Sequence, residues 1–344
     1  TYMKAKLSFF IILLMLSTFS QVMSDLYLPS LPAIQHALST NASAVQSSVM
    51  VFTYALTISP LFFGLLSDGI GRRKPLIIGI TITLVGSIIT VFTTSIEMLI
   101  IGRILQGLGG GACLAVSRAI LPDMYDRETI AKLSSYLAIG SILFISSAPA
   151  LGGLFQHFLG WRSSFIFLTL YAGLLLYLYS SRIPETNKHL NKENLKPSII
   201  ITNIKQVLSN RSILVLGLCI GSTYGSIFAW LTSGPITLHI YANIPPIIFG
   251  LAALSGGAVY IVGAIINSRL ITMLPMEKIL SFGLCCNLAA GLIMLLFDLL
   301  GYHNLWVIVG PVYLLTLGIS FVFPCAFAMA TQHFGKIGGI TASV

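Results

Sequence analysis

Two ionisable side chains, Asp25 and Arg103, stand inside stretches that are otherwise free of charge. A carboxylate in such a place can take up and release a proton. A nearby guanidinium favours its ionised form, while burial opposes it. Charge at the centre of a membrane-spanning helix costs at least about 2.5 kcal/mol, so the residue that carries it is paired or put to use. Counted along the apolar windows, Asp25 lies about seventeen residues, ~26 Å, from the inner boundary of the first, and Arg103 about six residues, ~9 Å, inside the fourth from the outer side. Both are expected in one outer layer, where Asp25 would carry a proton and Arg103 would tune it. The plainer alternative is a hydrated Asp25 that only caps helix packing. Thr18, Gln21 and Asp25 recur at i, i+3 and i+7, so they share one helix face and are expected to line a cavity.

Other residues suit a cavity less specifically. Tyr54, Gln106, Tyr136, Tyr224 and Trp230 would supply aromatic walls with few polar groups, which suit lipophilic cations and neutral molecules. Interhelical packing is the competing role for each. Cys113, Cys219, Cys285, Cys286 and Cys325 fall in apolar stretches without metal-ligand spacing, and the six histidines stand singly. No phosphate-binding loop is present. An enzyme is therefore not expected, nor a cofactor, nor ATP as an energy source.

A third group sits between the second and third apolar windows: Gly64-Leu65-Leu66-Ser67-Asp68-Gly69-Ile70-Gly71-Arg72-Arg73-Lys74. Its glycines allow an abrupt reversal and its cations hold the turn on the cytoplasmic side. Asp68 near the helix end and Arg72 and Arg73 across the turn are expected to pair with charges between spans four and five, of which Asp123, Asp126 and Glu128 are nearest, as an inner latch. Solvated pairs are worth only about 0 to 1 kcal/mol each, so the latch would open cheaply. In the fifth window, Pro149 followed by Gly152 and Gly153 is expected to kink the helix.

The elements that must carry these groups are membrane helices. The chain has 344 residues, 56% of them hydrophobic and 8% charged, against roughly 25% charged in soluble domains. Spans of ~20 apolar residues fall near residues 8–29, 44–66, 75–95, 98–119, 133–155, 163–181, 212–235, 246–267, 279–298 and 304–330, with the start of an eleventh at Ile337-Gly338-Gly339. With the N-terminus inside, all of the 19 Lys and Arg except Arg103 and Arg162 collect on the cytoplasmic side. The net charge of +9 is thus an orientation signal, and no nucleic-acid partner is expected. Residues 182–211 form the longest polar stretch and read as a cytoplasmic linker between a bundle at 1–181 and a second, incomplete one at 212–344. Gly263, Asn267 and Arg269 stand before the ninth span much as Gly64 and Asp68 stand before the third, a faint internal repeat. Such repeats place a substrate site between bundles near the bilayer midplane.

These motifs resemble a known family. Gly64, Asp68, Gly71, Arg72 and Arg73 match the loop motif of major facilitator superfamily transporters, with Gly69 where a cation is usual. Ala148-Pro149-Ala150-Leu151-Gly152-Gly153 resembles the antiporter motif of the drug/proton antiporters in that superfamily, with Ala148 and Phe144 at two of its glycine positions. Asp25-Leu26-Tyr27-Leu28-Pro29, Trp161-Arg162, Pro184-Glu185-Thr186 and Phe228-Ala229-Trp230 look like the Bcr/CflA multidrug efflux subfamily. The resemblance implies an all-α fold of two six-helix bundles, of which about ten spans and the start of an eleventh are present, with the C-terminal end missing. It also implies a proton-driven antiporter of lipophilic drugs in a bacterial inner membrane, with Arg103 at the place of the family's span-four arginine in proton coupling and Pro149, Gly152 and Gly153 blocking proton leak; a monomer is expected. Export of an endogenous metabolite such as a sugar or siderophore is the alternative within transport. A non-transporting receptor is the alternative outside it.

Overall fold

The computed structural model describes residues 2–124, 127–187, 209–242, 244–302 and 304–332. Regular structure in them is helical. The first apolar segment is broken: α1 (Tyr2–Asp25) gives way to a 3-10 turn at Leu28–Ser30 and a short α2 (Leu31–Ala37). The apolar window at 8–29 predicts one straight span instead. Pro29 has no N–H to give the Asp25 carbonyl one turn back, so the helix stops at Asp25.

Then follow α3 (Ala42–Ile70), α4 (Arg73–Val91), α5 (Ile96–Met124), α6 (Arg127–Leu159) and α7 (Arg162–Arg182). The remainder comprises α8 (Arg211–Ala242), α9 (Pro246–Leu270), α10 (Met276–Leu299) and α11 (Leu305–Gln332). Side-chain caps start several of these. Asn41 accepts from Ala44 N at 2.8 Å, Asn210 from Ser212 N at 3.0 Å, and Asn304 from Val307 N at 3.0 Å, each answering a donor that a helix start leaves free. Nine of the helical segments are long and apolar enough to cross a membrane, and α6, with 33 residues, is a further long helix. The eleventh segment expected at Ile337 lies outside the described residues.

Contacts group the chain into two compact units, one built on Thr1–Ile200 and one on Ile201–Ala342. In the first, α5 is central and packs against α1, α3 and α4. Small residues let it approach closely. A β-carbon at Gly86 of α4 would strike the Gly102 carbonyl and Gln106 of α5, and one at Gly102 would strike Thr90, the small-residue packing that membrane helices use in place of a hydrophobic driving force. In the second unit α11 packs against α8, α9 and α10, over a core of Leu216, Ile279, Leu280, Phe321 and Val322.

Candidate functional site

At the break after α1 the buried groups collect. Asp25, 4% exposed, ends the helix, and its Oδ1 has no hydrogen-bond partner. Arg103, near the start of α5, is 0% exposed. Its Nη1 donates to the Met23 carbonyl at 3.0 Å and to Gln106 Oε1 at 2.7 Å. The Met23 carbonyl is free to accept because it belongs to the last turn of α1, whose carbonyls lack helical partners and whose end favours a cation. The guanidinium carbon lies 4.2 Å from the centre of the Tyr27 ring and 4.0 Å from that of Phe52, contacts worth about 2 kcal/mol or more when desolvated. Arg103 Nε and Nη2 have no partner, and no ion pair joins Asp25 to Arg103 among the described residues. Both residues share one buried region, yet a carbonyl, an amide and two rings hold the arginine.

Further polar groups complete this cluster. Gln106 Nε2 donates to Ser87 Oγ at 2.9 Å and Thr90 Oγ1 at 3.5 Å, and the Tyr27 hydroxyl lies 3.2 Å from Ser48 Oγ. Gln106 is 0% exposed, so in this structure its amide serves Arg103. Gly152 of α6 abuts the same break: a β-carbon there would collide with the Leu26 carbonyl. Pro149 lies inside α6, buried, as is Gly153. Thr18 is buried and lies 3.5 Å from the Tyr171 hydroxyl, while Gln21 is half-buried.

A second cluster sits at the turn between α3 and α4. Gly71 adopts φ 97°, ψ 165°, a conformation essentially restricted to glycine. Arg72 Nε meets Asp123 Oδ2 of α5 at 2.9 Å, and its Nη1 meets Asp68 Oδ1 at 2.5 Å and Ser67 Oγ at 2.7 Å. Burial pulls the Arg72 guanidinium down, and the bonds to Asp123 and Asp68 more than reverse this, leaving its pKa above the ordinary value. Asp126 and Glu128, the other acids expected here, have side chains outside the described residues.

Glu185 stands in the sequence as part of a subfamily signature and of the polar 182–211 stretch, with nothing there to tie it to this turn. It accepts from Arg72 N at 2.7 Å, Arg73 N at 3.0 Å and Asn187 N at 3.0 Å. A β-carbon at Gly71 would collide with its carboxylate. Burial, the largest single influence, pushes the Glu185 pKa up, but the N–H groups of Asn187, Arg73, Arg72 and Thr186 together outweigh it and hold it below the ordinary value. Arg73 Nη2 also donates to the Ser180 carbonyl at 2.6 Å. One carboxylate after α7 thus holds the basic turn through its backbone. A β-carbon at Gly64 would come within 4.0 Å of Ala115 on α5.

The aromatic cavity candidates fall in both units. Tyr54 on α3 is 66% exposed within its unit. In the second unit Tyr224 meets Phe323 edge-on at 5.6 Å, and Trp230 is buried 5.8 Å from Phe249. The Tyr136 side chain lies outside the described residues. A cleft of about 430 Å³ between α8 and α10, lined by Ser222, Thr223, Ser226, Asn287 and leucines, contains neither Tyr224 nor Trp230. In the degenerate repeat, Asn267 of α9 donates to the Ser320 carbonyl at 3.2 Å, and a β-carbon at Gly263 would strike Ser320. A neutral amide thus stands where the first unit has Asp68.

Comparison with known proteins agrees with this architecture. The chain is 26% identical to multidrug resistance protein D of Escherichia coli over 97% of its length and 83% of that protein's. It is 27% identical to a bicyclomycin resistance protein homolog of Haemophilus influenzae over 80% of its length and 69% of that protein's. A solved inward-facing bacterial homolog of the human lysosomal transporter Spinster superposes with a TM-score of 0.75 at 13% identity, covering 99% of this chain and 77% of that one. The family model described as Major Facilitator Superfamily matches residues 10–344, and the chain therefore belongs to that superfamily: it is a multi-pass membrane transporter and not an enzyme.

Proposed function

We propose that the chain is a proton-coupled exporter that exchanges lipophilic small molecules for protons across a bacterial inner membrane, with its N-terminus in the cytoplasm. The observation that carries this reading is the buried pair without an ion pair: a carboxylate oxygen with no partner and a guanidinium with two unpartnered nitrogens at the same helix break. An acid so placed is proton-binding machinery by default. In this reading Asp25 carries the proton, Arg103 sets when it leaves, and substrate binds when Asp25 is ionised. The membrane potential then adds ~2.3 kcal/mol per charge per 100 mV. Arg72, Asp68 and Asp123 form the inner latch with Gly64, Gly71 and Arg73. Pro149, Gly152 and Gly153 seal the region beside Asp25 against proton leak. Tyr54, Tyr136, Tyr224, Trp230 and Gln21 are the substrate-contact candidates; Gln106, expected beside them, acts on the site through its hold on Arg103 and not by touching substrate. The resistance names of the two relatives support drugs as substrates, and the transporter acts as a monomer between the bilayer's two faces.

The test is Asp25→Asn in the full-length protein, reconstituted in liposomes. The variant is expected to lose pH-gradient-driven transport while still exchanging substrate across the membrane without a gradient. Wild-type gradient-driven transport by Asp25→Asn would remove Asp25 from the mechanism. Screening drugs beside sugars and siderophores in the same assay separates drug export from metabolite export.

A further inference from the structure

We infer that Gln106 is a positioning residue, oriented by Ser87 and Thr90, that holds Arg103 by Nη1 so that its Nε and Nη2 edge stays open to the carboxylate of Asp25. The inference rests on the proposed proton-coupling role of Asp25 and Arg103. A glutamine amide has two donors on one atom and acceptors on the other. Two hydroxyls on α4 take up the Gln106 nitrogen, so its oxygen must face the guanidinium. Flipped, it would set N–H groups against N–H groups.

The hydroxyls reach because α4 and α5 touch at Gly86 and Gly102. Thr90 also donates to the Ser87 carbonyl at 2.7 Å, which fixes the two hydroxyls one turn apart on the same face. Ser87, Thr90, Gln106 and Arg103 are all 0% exposed. The result is a chain of bonds from α4 through Gln106 and Arg103 to the Met23 carbonyl, two residues before Asp25.

The Nη1 side of the guanidinium is thereby used up. The remaining edge, Nε with Nη2, is the fork that matches a carboxylate with two parallel bonds; neither nitrogen has a partner in hydrogen-bond geometry, with the Tyr27 side chain lying against the guanidinium. The titratable groups set around Arg103 are Asp25 and Tyr27 at the end of α1. Against it, α3 contributes Phe52, and Ser48 by way of Tyr27, and α4 contributes Ser87 and Thr90 by way of Gln106. None of these carries a charge. Asp25 is thus the carboxylate in this region that can fill the fork when it gives up its proton.

The test measures transport against pH for the full-length protein in liposomes, with Gln106→Leu, the pair Ser87→Ala with Thr90→Val, and Thr90→Ser, which keeps the hydroxyl. Gln106→Leu and the paired variant are expected to displace the pH midpoint of transport to the alkaline side by about half a unit or more, because a guanidinium no longer pinned beside it favours the ionised carboxylate less. Thr90→Ser should retain the wild-type midpoint. A midpoint unchanged in Gln106→Leu and in the paired variant, with rates lowered equally at every pH, would reduce Gln106 to packing and overturn the inference. If Gln106→Leu does not fold, Ser87→Ala alone gives the same reading. Loss of pH-gradient drive in Asp25→Asn alongside an unmoved midpoint in Gln106→Leu would overturn this inference only. Retained drive in Asp25→Asn would overturn the reading beneath it.

Discussion

Taking an arginine out of water costs several kcal/mol unless its charge and donors are answered. Arg103 is answered by a helix-end carbonyl, a fixed amide and two aromatic rings, with two nitrogens, Nε and Nη2, left over. Lysine keeps the charge and loses the planar face and the fork. Arg103→Lys is therefore expected to lower stability by about 1 to 3 kcal/mol, read as a drop in thermal midpoint in detergent, and to cut pH-gradient-driven transport more than it cuts substrate binding. Equal losses in both would point to packing alone. At this scale the sequence showed Asp25 and Arg103 plainly, because charge is scarce in apolar stretches. Their partners were illegible: Ser48, Ser87, Thr90 and Phe52 are ordinary residues of membrane helices, and only packing decides which of them face α5. Gln106 was legible as a polar residue but not as one that serves Arg103.

At the scale of elements, the α3–α4 turn shows how a loop is fixed by its backbone. Gly71 lies where other residues are strained by about 1 to 3 kcal/mol, and a β-carbon would also strike Glu185. Gly71→Ala should lower the thermal midpoint and increase thiol labelling of a cysteine placed at the end of α5 beside this turn; unchanged values of both would mean that the turn tolerates a side chain. Glu185 gives a pH signature. Its folded pKa is depressed, so its contribution is fully present above the unfolded value, about 4.3, and is lost as pH falls through the lower folded value. Acid unfolding below about pH 4.3 should therefore be less steep in Glu185→Gln than in wild type, and identical slopes would contradict the assignment. The glycines and cations of this turn were readable from spacing. Glu185 was not, since it lies more than a hundred residues along the chain, after α7. The break in the first span was likewise readable only in part. Pro29 was seen near the end of a span, but that Asp25 would end the helix four residues earlier required the missing Pro29 donor to be weighed.

For the whole molecule, composition and charge asymmetry already specified a polytopic helical protein, and the loop and antiporter motifs pointed to the superfamily to which the chain belongs. The direction of flux and the coupling ion are properties of the transport cycle and rest on the proposal. They are tested most directly by following protons in an unbuffered suspension of the purified full-length protein as substrate is added. The account predicts that a lipophilic substrate displaces protons from wild type near neutral pH, and that Asp25→Asn, although it still binds the substrate, releases none. Substrate binding to wild type without proton release, or equal release from Asp25→Asn, would contradict it.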